Sequence, residues 1–200
     1  GYMHGDPKFS TIPVAKLLSK THATELCGKI NPTAPGKPSV TGGTGGGTIY
    51  LTTADRWGNM VSLIHSVFSV YGSRATVGPY GFVLHNRGSA FSLEAGHPNV
   101  VAPGKQPFHS IMAGFVMKDG APLMTFGNMG GTVQPETHAQ HMVNLIDLGM
   151  NVQMTADAAR FTHLQTTNVL SLERHLFDRV GAALTAKGHD VRPVTGVAVG

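Results

Sequence analysis

Hydrophobic positions follow one rule before a Pro- and Gly-rich stretch at Asn31 to Gly47, NPTAPGKPSVTGGTGGG, and another after it. Upstream, Val14, Leu17 and Leu18, then Ala23, Leu26 and Ile30, recur at helical spacing, so two short helices are expected, with Pro13 near a start and Ser19 to Thr21 as the break. The stretch itself has no apolar periodicity and reads as a flexible connector. Downstream, Thr48 to Ala54 and Met60 to Val67 are rich in β-branched residues and flank Asp55-Arg56-Trp57-Gly58-Asn59, which predicts a hairpin. Gly114 to Lys118 and Leu123 to Gly127 predict a second hairpin around Asp119-Gly120. Met142, Leu145, Ile146 and Leu148 then return to helical spacing within Thr137 to Leu148. Asn151 to Ala159 and Glu173 to Lys187 also read as helices, the last ending at Gly188. Strands that come first and helices that follow predict an α+β layered domain. A final apolar run, Val197 to Val199, looks like a strand cut short. With Gly1 rather than Met at the start, the chain is expected to be part of a longer protein.

Composition narrows the partners. The 200 residues are 41% hydrophobic and only 13% charged, so the fifteen Lys and Arg against eleven Asp and Glu form a thin excess rather than a basic block. Without a cluster of cations interleaved with aromatics, nucleic acid is not an expected partner. No run approaches the length of a membrane span. Cys27 is the single cysteine, which excludes an internal disulfide, and its helix-forming neighbourhood does not suggest a nucleophile.

Candidate chemistry centres on Gly42-Gly43-Thr44-Gly45-Gly46-Gly47-Thr48. A phosphate loop needs Lys before its Ser or Thr and a strand before its glycines, and a dinucleotide fingerprint needs the same context. Neither condition is met. A solvated linker ahead of a strand is one remaining reading, and a cleavage site is the other. If the Thr48 hydroxyl attacks the Gly47 carbonyl, hydrolysis of the resulting ester frees Thr48 as an amino terminus. Its α-amine, which titrates near pH 8, is then available as the base for its own hydroxyl. No GxSxG elbow offers a competing serine nucleophile.

The segments GGGTIYLTTADRWGNMVSLIHS, GFVLHNRGSAFS, PGKQPFHSIM and FGNMGGTVQPETHAQHMVNLIDLGMNVQMTADAARF, in this order, resemble the small subunit of γ-glutamyltransferases and their acylase relatives. GDPKFSTIPVAKLLS is similar to the end of the large subunit. The resemblance implies the αββα four-layer sandwich of N-terminal nucleophile hydrolases, of which this chain is a C-terminal part. It divides the chain into residues 1–47, the large-subunit tail and linker, and 48–200, the nucleophile subunit. It implies Thr48 as the autoprocessing nucleophile and Ser66 as the hydroxyl that bonds it. It also implies Gly130 and Gly131 as oxyanion-hole amides, no cofactor, and the remainder of the large subunit as partner.

Departures from the pattern concern the substrate. Ala90 stands where γ-glutamyl-specific members carry an acid for the substrate ammonium, Phe68 where they carry Asn, Arg87 where they carry Gln, and His109-Ser110 where they carry two serines. These four, Phe68, Arg87, His109 and Ser110, are the expected substrate-binding residues. Arg87 is open to two roles, a bidentate grip on a substrate carboxylate or a structural salt bridge. The pattern is closest to the cephalosporin and glutaryl acylase branch. The expected activity is hydrolysis or transfer of γ-glutamyl amides through an acyl-threonine; a glutaryl-type amidase and an unprocessed structural relative are the alternatives. Eleven histidines, with His138 and His141 one turn apart, lack any recognisable metal-ligand spacing. Asp157 and Arg160 read as a surface pair.

Overall fold

The computed structural model describes residues 5–36, 47–165 and 167–195. Helices α1 (Val14–Leu17) and α2 (Lys20–Cys27) form where the periodicity places them. Ser19 separates them because its extended backbone cannot continue α1, while its hydroxyl accepts the His22 N–H at 3.1 Å and caps α2. Of the expected connector, residues 37–46 lie outside the described residues, as does the expected strand at Val197 to Val199. The upstream segment is tied down: the buried Asp6 carboxylate accepts the N–H groups of Lys8 and Gln106, each at 2.9 Å.

The first hairpin pairs β1 (Gly47–Ala54) with β2 (Met60–Phe68) antiparallel. Asp55 shapes its turn by accepting from the N–H groups of Trp57 and Asn59. Period-two alternation places Thr48 opposite Ser66, Tyr50 opposite Ile64 and Thr52 opposite Ser62 on one face. Ile49, Leu51, Val61 and Leu63 lie on the other face and are exposed. Short strands β3 (Thr76–Val77) and β4 (Phe82–Val83) form a small ribbon, followed by a 3-10 turn at Arg87–Ala90.

The second expected hairpin is β5 (Gly114–Lys118) with β6 (Ala121–Phe126). It meets the polar face of the first: Ser62 Oγ donates to the Gly114 carbonyl at 2.8 Å and also bonds the Tyr50 hydroxyl at 3.0 Å, and the Thr52 and Thr125 hydroxyls touch. Helix α3 (Gln134–Met142) begins three residues before the expected start, because Pro135 suits the first helical turn, where its missing N–H costs nothing. It continues as a π-helical turn at Val143–Asp147, and α4 (Val152–Asp157) follows, capped by Asn151.

Helices do not simply follow strands, as the sequence pattern led us to expect. Three further strands, β7 (Phe161–Leu164), β8 (Val169–Glu173) and β9 (Asp190–Val194), form a sheet with β8 in the middle. Helix α5 (Arg174–Ala186) crosses between β8 and its parallel neighbour β9. The alternation in β7 and β8 is obscured because Thr162 and Ser171 are buried polar residues. Thr162 is satisfied there by donating to the Glu136 carboxylate of α3 at 2.9 Å. The expected pairing of Asp157 with Arg160 is also replaced: Arg160 bonds Glu173 at 3.1 Å, and Asp157 takes the Gln153 amide. Among the described residues the buried hydrophobic core comprises Val133, Val169 and Leu172.

Candidate active site

The hairpin is irregular at one place, and that place is the Gly47-Thr48 bond. Gly47 stands opposite Phe68 while Thr48 stands opposite Ser66, so β2 bulges by one residue at Val67. Phe68 takes a left-handed φ of 75°, a conformation that costs a residue with a bulky side chain roughly 1–3 kcal/mol. Gly47 packs so closely that a Cβ there would lie 2.8 Å from the Ser69 carbonyl oxygen and 3.0 Å from Val67 Cγ2.

Thr48 is buried at 7% exposure, and its Oγ1 shares a hydrogen bond of 2.9 Å with Ser66 Oγ. Ser66 Oγ also receives the Phe68 N–H at 3.1 Å and Arg87 Nη2 at 2.6 Å. The Arg87 guanidinium is buried at 7% exposure, with its Cζ 5.2 Å from the Phe68 ring centroid. Desolvation pulls its pKa down, yet an arginine remains protonated at neutral pH. Among the described residues no carboxylate pairs with it, and its Nε and Nη1 have no hydrogen-bond partner. Among the described residues Arg87 therefore forms no salt bridge, and its side-chain bond is to Ser66.

Asn86 was not singled out from the sequence. Its Oδ1 accepts the Ser69 N–H at 3.0 Å, its Nδ2 donates to Ser69 Oγ at 2.9 Å, and its own N–H donates to the Val67 carbonyl at 3.2 Å. These bonds clamp the bulge to the turn that carries Arg87. An isolated Asn in a loop has no sequence pattern that signals such a role. Ala90, in the same turn, offers only its carbonyl, which accepts Asn99 Nδ2 at 2.7 Å.

His109 and Ser110 lie in the loop before β5 and make no hydrogen bond to Thr48 or Ser66 among the described residues. His109 is held below the ordinary imidazole pKa, first by partial desolvation and then by the nearby Arg87 charge. Its Nδ1 accepts the Ile111 N–H at 3.3 Å, so the neutral ring carries its proton on Nε2 and can donate there. Gly130 and Gly131 have φ values of 128° and 60° and lead through a 3-10 turn into α3. The segment reaches them from β6 along β1, where Gly127 lies directly against the Tyr50 ring. On α3, His138 packs against Phe126, and burial is the main cause holding both it and His141 below the usual imidazole range. Among the described residues no cluster of three or more His, Cys, Asp or Glu gathers to hold a metal.

A family model for gamma-glutamyltranspeptidase matches residues 1–199. The glutathione hydrolase-like YwrD proenzyme of Bacillus subtilis is 35% identical over 94% of this chain and 36% of its own length. The oxamate amidohydrolase proenzyme of Klebsiella pneumoniae is 33% identical over 93% of this chain and 36% of its own length. Cephalosporin acylase from Bacillus halodurans superposes with a TM-score of 0.84 at 36% identity, covering 100% of this chain and 36% of that one. The fold is thus the α+β class of the N-terminal nucleophile hydrolases, of whose αββα sandwich this chain supplies a part. Within that class, the chain belongs to the gamma-glutamyltranspeptidase family. It spans 36% of the length of the curated relatives just named.

Proposed function

We propose that the protein is an amidohydrolase and acyltransferase that cuts its own chain between Gly47 and Thr48 and then cleaves γ-glutamyl amides through an acyl-Thr48 ester. The observation that carries this reading is the buried Thr48 Oγ1, bonded to Ser66 Oγ at 2.9 Å, directly beside the bulge at Gly47. In the first step Thr48 Oγ1 attacks the Gly47 carbonyl carbon, the C–N bond breaks, and the hydroxyl proton ends on the freed amine. Water then hydrolyses the ester, releasing the Gly47 carboxylate and restoring the hydroxyl. In turnover, the amine accepts the Thr48 proton as the substrate carbonyl is attacked and delivers it to the leaving amine. Water or an acceptor amine removes the acyl group.

Oxyanion stabilisation falls to the Gly130 and Gly131 amides. The Thr52 and Thr125 hydroxyls meet and Gly127 lies against the Tyr50 ring, so the segment that leads to those amides runs beside the strand that carries Thr48. Main-chain donors fixed in place stabilise the developing charge without reorganising. Residues 1–47 form the tail of a large subunit and 48–200 the nucleophile-bearing subunit. The rest of the large subunit is the partner, and the exposed apolar face of Ile49, Leu51, Val61 and Leu63 supports a docked layer there.

A second acyl group is favoured by a specific observation: Arg87 has spare donors while Ala90 offers no charge to a substrate ammonium. Both features suit a glutaryl side chain, as in a glutaryl-substituted cephalosporin, whose carboxylate has no ammonium beside it, and Phe68, His109 and Ser110 are the further residues proposed to bind it. Two measurements on full-length protein test these readings. Intact mass is expected to show two fragments separated at Gly47-Thr48; one uncut mass leaves the amine acylated and favours a structural relative without activity. Release of p-nitroaniline from γ-glutamyl and glutaryl anilides then ranks the two acyl groups.

Gly47→Ala is expected to slow that cleavage by about tenfold or more, because overpacking against a backbone carbonyl costs about 1–3 kcal/mol and displaces the scissile carbonyl from Thr48. A time course of precursor on a denaturing gel reads it. Cleavage at the parental rate would mean that the bulge yields freely to a methyl group.

A further inference from the structure

We infer that Arg87 is a positioning residue for the nucleophile: it orients the Ser66 hydroxyl to donate its hydrogen bond to Thr48 Oγ1. This deepens the proposed function and rests on Thr48 being the attacking residue. A serine hydroxyl has one proton and two lone pairs. Ser66 Oγ faces three groups: Arg87 Nη2 at 2.6 Å, the Phe68 N–H at 3.1 Å and Thr48 Oγ1 at 2.9 Å. The first two can only donate, so they occupy both lone pairs. Among the described residues the Ser66 proton is left with a single acceptor, Thr48 Oγ1.

Two consequences follow for Thr48. Its oxygen accepts from Ser66, so its own proton points away from Ser66; in processing it ends on the nitrogen freed from Gly47, and in turnover the freed amine takes it. As negative charge gathers on Thr48 Oγ1 during attack, the bond from Ser66 strengthens, and a donor that is itself polarised by a cation strengthens more. Arg87 is suited to that task. Its charge is buried beside Ser66, and among the described residues no carboxylate pairs with it. Asn86 and Phe68 hold the geometry, the first by clamping the bulge to the Arg87 turn and the second by lying beneath the guanidinium.

Autoprocessing tests this without any external substrate, since the same hydroxyl attacks a carbonyl of its own chain and no substrate carboxylate takes part. In full-length precursor, Arg87→Met is expected to slow Gly47-Thr48 cleavage by about tenfold or more, and Arg87→Lys, which keeps a donor and a charge, to restore part of the rate. Ser66→Ala is expected to slow it at least as much, and adding Arg87→Met to Ser66→Ala should bring no further loss, because both act through one bond. Cleavage of Arg87→Met at the parental rate, or losses that multiply in the double variant, would overturn the inference and return Arg87 to substrate binding alone. Should Arg87→Met not fold, as judged by circular dichroism, the same cycle is run with Arg87→Lys. Thr48→Ala serves as a separate control: precursor that still splits with Thr48→Ala removes the nucleophile itself, whatever Arg87 does.

Discussion

Thr48→Ala is expected to leave the full-length chain as one uncut polypeptide and to lower amide turnover by at least about 10⁴-fold, the scale on which removal of a covalent nucleophile acts. Two losses coincide in this substitution. The methyl group cannot attack Gly47, and without that scission the nitrogen of residue 48 stays an amide and cannot serve as a base. Thr48→Ser separates the effects, because it keeps the hydroxyl and its bond to Ser66 Oγ, now seen at 2.9 Å. It should therefore process and turn over, more slowly, having lost the γ-methyl that limits the threonine rotamer. Intact mass and anilide hydrolysis on the same preparations read both outcomes. Fragments appearing at the normal rate from the alanine variant would remove the basis of the proposed function.

The next largest effect is expected from Gly130→Ala. Gly130 has φ 128° and ψ 5°, a backbone conformation that a residue with a Cβ reaches only at a cost of roughly 1–3 kcal/mol. The variant relieves that cost by rotating the peptide planes on either side, which would turn the 130 and 131 amides away from the proposed oxyanion position. Loss of one such donor lowers kcat by about 10²–10³-fold, and KM should change little because the bond is made mainly in the transition state. A thermal melt distinguishes this from global damage, since the strain alone predicts only a modest drop. If kcat survives intact while the melting temperature falls, these glycines shape the entrance to α3 and nothing more.

The pairing of Thr48 with Ser66 was legible in the sequence for a definite reason: both sit on a hairpin that local propensity and turn chemistry already predict, whereas Gly130 and Gly131 are proposed through resemblance to a family. Arg87 was legible as a residue of interest but not in its role. Its choice among substrate carboxylate, salt bridge and Ser66 depends on what lies within about 3 Å of the guanidinium, twenty-one residues away in the chain. Asn86 was missed for the same reason, as its partners Ser69 and Val67 are brought to it by the bulge.

Local preference by itself determined the two hairpins, the Ser19 cap between α1 and α2, and the helices after residue 133, because each depends on neighbours within a turn or two along the chain. The β7–β8–β9 sheet was decided only in three dimensions. Buried Thr162 and Ser171 erase the alternation that announces a strand, and Thr162 is tolerated inside because the Glu136 carboxylate of a distant helix accepts its hydrogen bond. The same holds for the network at Thr48. A hydroxyl's direction is set by the donors that crowd it, and those donors meet only after the chain has folded.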